Sequence, residues 1–324
     1  MRTLSAEAAV SLLTLYGQLI GWTLLGVVLG KRVPKWLPLN MGRFLYWVGV
    51  PFGVFGWLRQ ADLSGPVWLA ALMAWGGVGI GAALAKLWLN RSQDQPHQQL
   101  QQPAAQGSFF LASMFGNTGY IGFPVVLALC GLDAFGWAVF YDLLGTTVGA
   151  YGLGVGLAAH FRRAHQQQMS EKQTIALQTL LEPILYNPTP WCFTLALVSR
   201  PLALPSWLET GLQQFAWGMI PLSLILLGMR LVQVSSWHSL DSALPAIGIK
   251  LLLVPLLVGA VSTLVGLTGL PRLTVVLQAA MPPAFATLVL AETYDLDRTL
   301  TVTALSVGSM GVLLTLPLWL MLFG

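Results

Sequence analysis

The sequence predicts an all-α, polytopic membrane protein of ten transmembrane helices in two inverted five-helix repeats, with the fourth and ninth helices broken. Three observations carry this expectation. Hydrophobic residues make up 56% of the chain and charged residues only 9%, against about 25% charged in a soluble domain. Polar punctuation divides the chain into ten apolar stretches, most of them near the ~20 residues that cross a bilayer. The fourth and ninth stretches are interrupted at corresponding places by glycine, amide and proline residues that do not belong in a plain membrane helix.

In chain order the stretches run approximately 9–30, 37–58, 64–90, 107–131, 132–160, 187–204, 211–232, 241–268, 272–293 and 299–323. The first follows only Arg2 and Glu7, without a basic start or small-residue cleavage site, so it is expected to stay as a span. Between the third and fourth lies Gln93–Gln106, glutamine-rich with Pro96 and Pro103, which reads as a flexible low-complexity loop. The polar segment 161–186 contains Ile175, Leu177, Leu180, Leu181 and Ile184 and reads as a short amphipathic helix on the cytoplasmic surface. Pro188, Pro190 and Pro201 crowd the ends of the sixth stretch.

That midpoint leaves a first repeat at 1–160, a linker at 161–186 and a second repeat at 187–324. Val48-Gly49-Val50-Pro51 in the second stretch resembles Gly218-Met219-Ile220-Pro221 in the seventh, and the broken fourth has its counterpart in the ninth. An odd number of spans per half turns the second copy upside down. Inverted repeats with a discontinuous helix in each half point to a secondary transporter with its site near the bilayer midplane.

Lysine and arginine set the expected orientation. Lys31, Arg32, Lys35, Arg91, Arg162, Arg163, Lys172, Arg230 and Arg298 follow odd-numbered spans, whereas Arg2, Arg59, Arg200 and Arg272 lie at the termini or after even-numbered ones. The first group is therefore expected to be cytoplasmic, with the central loop, and both termini on the outer face of the cell (inner) membrane. The basic residues form no stripe with interleaved aromatics, which argues against nucleic acid as a partner. Arg43, Lys86 and Lys250 fall inside spans and are expected to snorkel to the interface.

The first interruption is Asn117-Thr118-Gly119-Tyr120-Ile121-Gly122-Phe123-Pro124. Pro124 removes a donor and pushes Phe123 from helical angles, so backbone groups here lose helical partners. At membrane depth such groups persist only in protein or beside a cavity. Half-helices ending there aim unpaired N–H groups and a positive dipole end at the cavity, which suits a carboxylate. Asn117 can donate to a substrate oxygen while its carbonyl satisfies freed backbone, and Thr118 can do either; the bland alternative is that Asn117 only patches the break. Pro282 reads as the maker of the second break, a role Pro283 could share.

Asp142 is the acid well inside a span, about 15 Å along its helix. A carboxylate there faces water, a cation or a proton, or else makes a structural hydrogen bond to the broken fourth helix. Thr146, one turn on, shares its face and Thr147 is adjacent, so the three form a candidate site for coupling a proton or sodium ion. Glu292, Asp295 and Asp297 read as a solvated loop, and Gly17/Gly21, Gly26/Gly30 and Gly77/Gly81 as close helix packing. His160 and His165 are too far apart for a zinc pair on one helix face, and Cys130 and Cys192 lie in apolar runs; no metal site, cofactor or disulfide is expected. His160 lies at the far end of the stretch that holds Asp142, 18 residues away, no nucleophile stands beside a base and no ATP-binding motif is present, so neither an enzyme nor a primary pump is expected. A non-transporting membrane sensor using the same pocket is the remaining alternative.

Asn117-Thr118-Gly119-Tyr120-Ile121-Gly122-Phe123-Pro124, Tyr186-Asn187-Pro188, Leu277-Gln278-Ala279-Ala280-Met281-Pro282, Ala291-Glu292-Thr293-Tyr294 and Leu316-Pro317 resemble the auxin efflux carrier family of plant PIN-formed carriers and their prokaryotic relatives. The resemblance implies a fold shared with bile-acid sodium symporters and sodium/proton antiporters. It also implies that helices four and nine cross at their breaks, marked by Gly122, Pro124, Pro282 and Pro283. A small organic anion is then expected beside the crossing, against Asn117, Thr118, Gly119, Gln278 and Met281. Plant carriers have an asparagine soon after the crossover proline, whereas Pro124 is followed by Val125 and Val126, which weakens auxin itself as the substrate. The expected activity is alternating-access transport of a small, carboxylate-bearing organic anion, with a proton, a sodium ion or no ion coupled; the partners are that solute, the bilayer and, as an open alternative, a second copy in a homodimer.

Overall fold

A computed structural model describes residues 6–34, 36–91, 98–167, 188–232 and 239–324. The amphipathic segment read at 175–184 lies outside them. The described residues are helical, with one isolated antiparallel bridge, Gly116 to Pro283. Leu69–Arg91, Ser206–Met229, Leu240–Leu264 and Arg298–Phe323 are long and apolar enough to cross a membrane, and Tyr16–Gly30 and Thr118–Cys130 are shorter apolar helices.

The chain forms two compact units. The first comprises Met1–Asp62, Phe123–Gly136 and Pro188–Ser235. It holds α1 (Ala6–Gly30), α2 (Trp36–Phe44), α3 (Val50–Leu58), α6 (Phe123–Cys130), α9 (Pro188–Ser199) and α10 (Ser206–Val232). The long α1 and α10 pack at glycines: a methyl group on Gly26 would strike Ile225 O and Gly228 Cα, and one on Gly228 would strike Thr23 O. Gly26 and Gly30 thus pack as their spacing predicts, and so does Gly77/Gly81 in the other unit, whereas Gly17 and Gly21 face open space. Two arginines tie the end of α3 to the end of α9 reciprocally. Arg59, just past α3, donates to Ser199 O and Leu202 O and pairs with Glu209 at 3.2 Å. Arg200, just past α9, donates to Leu58 O at 3.0 Å and Ala61 O at 2.8 Å. Each cation meets the electron-rich carbonyl end of the other's helix, which its dipole favours.

The second unit comprises Leu63–Gly122, Trp137–Asn187 and Ser236–Gly324. It holds α4 (Leu69–Arg91), α5 (Pro103–Met114), most of α7 (Phe135–Phe140), α8 (Val155–Gln167), α11 (Leu240–Gly248), α12 (Val254–Leu264), α13 (Gly269–Ala279), α14 (Phe285–Thr293) and α15 (Arg298–Phe323). Its core packs Leu111, Met114 and Phe115 with Ala150, Val155 and Ala158 and with Leu290 and Ala291. The loop reading of Gln93–Gln106 fails from Gln98 onward. Gln98–Gln101 is a 3₁₀ turn, Pro103 opens α5 at a position where its missing N–H has no partner to lose, and Gln106 Nε2 holds Leu100 O at 3.0 Å. Nor is Asp297 merely solvated: it caps α15 by accepting from Leu300 N at 2.9 Å and also receives Gln99 Nε2 at 2.8 Å.

Among the described residues five π turns punctuate the helices. Three of them, Leu45–Gly49, Thr118–Gly122 and Ile249–Leu253, end two residues before Pro51, Pro124 and Pro255. A proline cannot donate to the fourth carbonyl before it and crowds that carbonyl, so the wider turn relieves the clash. The other two, Tyr141–Thr147 and Ala150–Gly154, are not followed by proline in this way.

Candidate functional site

The interruptions of both broken stretches lie within the second unit. After α5 the chain leaves the helix at Phe115–Asn117 and re-enters it through the Thr118–Gly122 π turn. The unwinding therefore lies upstream of Gly122 and Pro124, which the sequence reading took as its markers. The π turn absorbs the clash of Pro124, and the chain is helical again from Phe123. The second interruption follows α13 and includes both Pro282 and Pro283 before α14 begins.

The two interruptions satisfy each other's backbone. Asn117 N donates to Pro282 O at 2.7 Å, and Ala284 N donates to Phe115 O at 3.0 Å. Groups that would otherwise be stranded at membrane depth are paired across the two segments. Gly308 of α15 makes room for them: a methyl group there would lie 2.7 Å from Pro283 Cδ.

Asn117, 3% exposed, spends one end of its amide on this frame. Its Oδ1 accepts from Tyr120 N at 3.2 Å, capping the turn that follows, and its main-chain O accepts from Gly122 N at 3.1 Å. Its Nδ2 has no partner among the described residues. Gln278, fully buried on α13, donates Nε2 to Ala138 O at 3.3 Å and leaves Oε1 unpartnered; that amide lies where a side chain on Gly122 would be. Thr274, one turn before Gln278, is also buried with an unpartnered hydroxyl. The sequence reading missed Thr274, although its four-residue spacing from Gln278 puts both on one helix face. Met281 is fully buried at the second interruption. One donor and two groups able to accept are thus held unspent by a rigid frame.

Asp142, 7% exposed, sits in the Tyr141–Thr147 π turn. The hydroxyl that reaches its carboxylate belongs to Thr118, across the first interruption. A methyl group on Gly119 would stand 3.6 Å from Asp142 Oδ2, so the carboxyl lies against the start of the Thr118–Gly122 turn. Thr146 is buried and Thr147 half-buried on the same turn as Asp142.

Arg43 and Lys86 are exposed, whereas Lys250, also expected to snorkel, is buried. Lys250 is 3% exposed, and its Nζ donates to Ala279 O, at the carbonyl end of α13, at 2.6 Å. A methyl group on Gly116 would lie 3.2 Å from that Nζ and 3.1 Å from Met281 O, so the ammonium needs the glycine. The signal was its depth: Lys250 stands as far into its apolar run as Asp142 does.

In the first unit a cavity of about 250 Å³ is lined by Gln18 and Trp22 of α1, Pro124 and Ala128 of α6, and Trp217 and Pro221 of α10.

Residues 40–320 match the family described as "Membrane transport protein". An uncharacterized transporter of Methanothermobacter thermautotrophicus is 29% identical over 320 residues, covering 97% of each chain. An uncharacterized transporter of Methanocaldococcus jannaschii is 26% identical over 216 residues, 66% of this chain and 67% of its own. These similarities agree with the likeness to the auxin efflux carrier family carried by the motifs.

Proposed function

Because the chain belongs to the membrane transport protein family, we propose that it is a secondary transporter moving a small organic anion by alternating access. In this reading ten spans form two inverted repeats, the fourth and ninth cross at their interruptions, and both termini face outward. The observation that carries it is the pair of interruptions joined through Asn117 N and Pro282 O at 2.7 Å, with Asn117 Nδ2 beside them unspent. A frame that satisfies its own backbone yet keeps one buried amide donor free is suited to a carboxylate oxygen. Asn117, Thr118, Gly119, Gln278 and Met281 are the proposed contacts.

The test is uptake of radiolabelled weak organic acids, acetate and benzoate among them, into proteoliposomes holding the full chain. Saturable flux that falls at least tenfold in Asn117→Ala supports the reading. Absence of flux for every acid under both pH and voltage gradients refutes it. Proton coupling through Asp142 is the second reading, favoured by its burial, whereas its bond to Thr118 matches the structural alternative. It requires that Asp142→Asn abolish the stimulation of flux by a pH gradient; full pH-driven flux in that variant excludes it.

A further inference from the structure

Lys250 is a buried amine that the proposed anion contacts do not use. It belongs to the Ile249–Leu253 π turn, and its Nζ reaches Ala279 O at the last turn of α13. At the end of α13 Ala280 N donates to Val276 O and Leu277 O and Met281 N to Gln278 O, so Ala279 O is the terminal carbonyl left for Lys250, at the negative end of the helix dipole. The ion pairs among the described residues, Arg59 with Glu209 and Arg298 with Glu292, do not include Lys250. Its charge is therefore met by a carbonyl and a helix end rather than by a carboxylate in contact. Gly116 keeps the space open, since a side chain there would press on both Cε, at 3.0 Å, and Nζ, at 3.2 Å. Carbonyl ends of interrupted membrane helices are the places where transporters of this general build hold a coupling cation.

We infer that Lys250 is a tethered cation occupying the position of a free metal ion, so that the protein binds no sodium at the end of α13 and needs none there. The ammonium supplies a single positive charge, with a hydrogen bond to Ala279 O in place of the coordination an ion would make, and the four-carbon stem fixes it in place. Lys250 is thus a positioning residue that holds the end of α13 against Gly116 in every cycle without exchange of an ion.

Ion dependence can be read without knowing the transported solute. The thermal unfolding midpoint of the detergent-solubilised full chain is measured in sodium chloride and in choline chloride at equal concentration. Wild type is expected to unfold at the same temperature in both. Lys250→Met is expected to unfold at a lower temperature, and sodium alone should raise that midpoint by about 2–4 °C as the ion fills the vacated place. Lys250→Arg, which keeps the charge, should stay indifferent to sodium. A sodium-specific rise in the wild type overturns the inference, and so does a Lys250→Met protein that sodium does not move. Where Lys250→Met does not accumulate, Lys250→Gln keeps a donor for Ala279 without the charge and is judged by the same outcomes. Failure of organic-acid flux bears on the transport reading alone and leaves this result untouched.

Discussion

One end of the Asn117 amide caps the Thr118–Gly122 turn and the other is the proposed anion contact, and substitution can separate the two. Asn117→Asp keeps an acceptor for Tyr120 N but turns the unspent donor into an anionic oxygen. It should lose organic-anion flux at least as fully as Asn117→Ala while unfolding closer to the wild-type temperature. Asn117→Ala loses the cap as well, at about 1 kcal/mol. Equal flux in Asn117→Asp and wild type would reduce Asn117 to a cap. Gly116→Ala sets a methyl 3.1 Å from Met281 O and 3.0 Å from Lys250 Cε. Neither neighbour has much room to yield, and thermal unfolding should show a loss of about 1–3 kcal/mol. The sequence pointed to Asn117 as a patch for the break, because an amide beside glycines in an apolar run has few other uses, and its cap on Tyr120 N fills that role. A hydrogen bond from Asp142 to the fourth helix was one of the readings the sequence offered, and Thr118 supplies it; the bond from Lys250 to Ala279, 29 positions away on another helix, was not legible. Local pattern carries no information about such partners, and a long aliphatic stem made the interface the obvious destination for Lys250.

At the scale of the elements, apolar length and polar punctuation were enough to predict an all-helical protein with apolar helices of membrane-crossing length, four of which stand among the described residues, since burying backbone in hydrocarbon leaves few other options. The position of the first interruption was not legible. Proline is the conspicuous breaker in the sequence, yet a π turn accommodates Pro124, and the chain unwinds instead where Phe115 O and Asn117 N find partners beyond α13. Removing the proline should therefore leave the interruption in place. Pro124→Ala is expected to retain most organic-acid flux, whereas Gly308→Leu, which drives a side chain into Pro282 and Pro283, should abolish it. In the first unit the reciprocal arginines make a comparable prediction. Arg59→Ala strands Leu202 O and Glu209 and should lower the unfolding midpoint measurably, while Arg59→Lys, unable to reach three acceptors from one plane, should recover only part of the loss.

For the whole molecule, the units do not coincide with the halves of the sequence: each gathers segments from before and after the linker at 161–186. The first unit takes α1, α2, α3 and α6 from before that segment and α9 and α10 from after it. Epitope tags at the two termini, probed in intact cells, should both be accessible from outside, and a tag reached only after permeabilisation would reverse the assigned orientation. The buried charges of the second unit bear on energetics at this scale. With Lys250 as ammonium and Asp142 as carboxylate, their charges cancel. Moving that unit through the membrane voltage then does no electrical work on the pair, where an unbalanced charge would feel about 2.3 kcal/mol per 100 mV. An empty carrier should return at a rate indifferent to voltage, and the anion would be the only charge displaced. Proteoliposomes on a solid-supported electrode should accordingly register about one charge per anion, whereas a proton travelling on Asp142 would cancel the current.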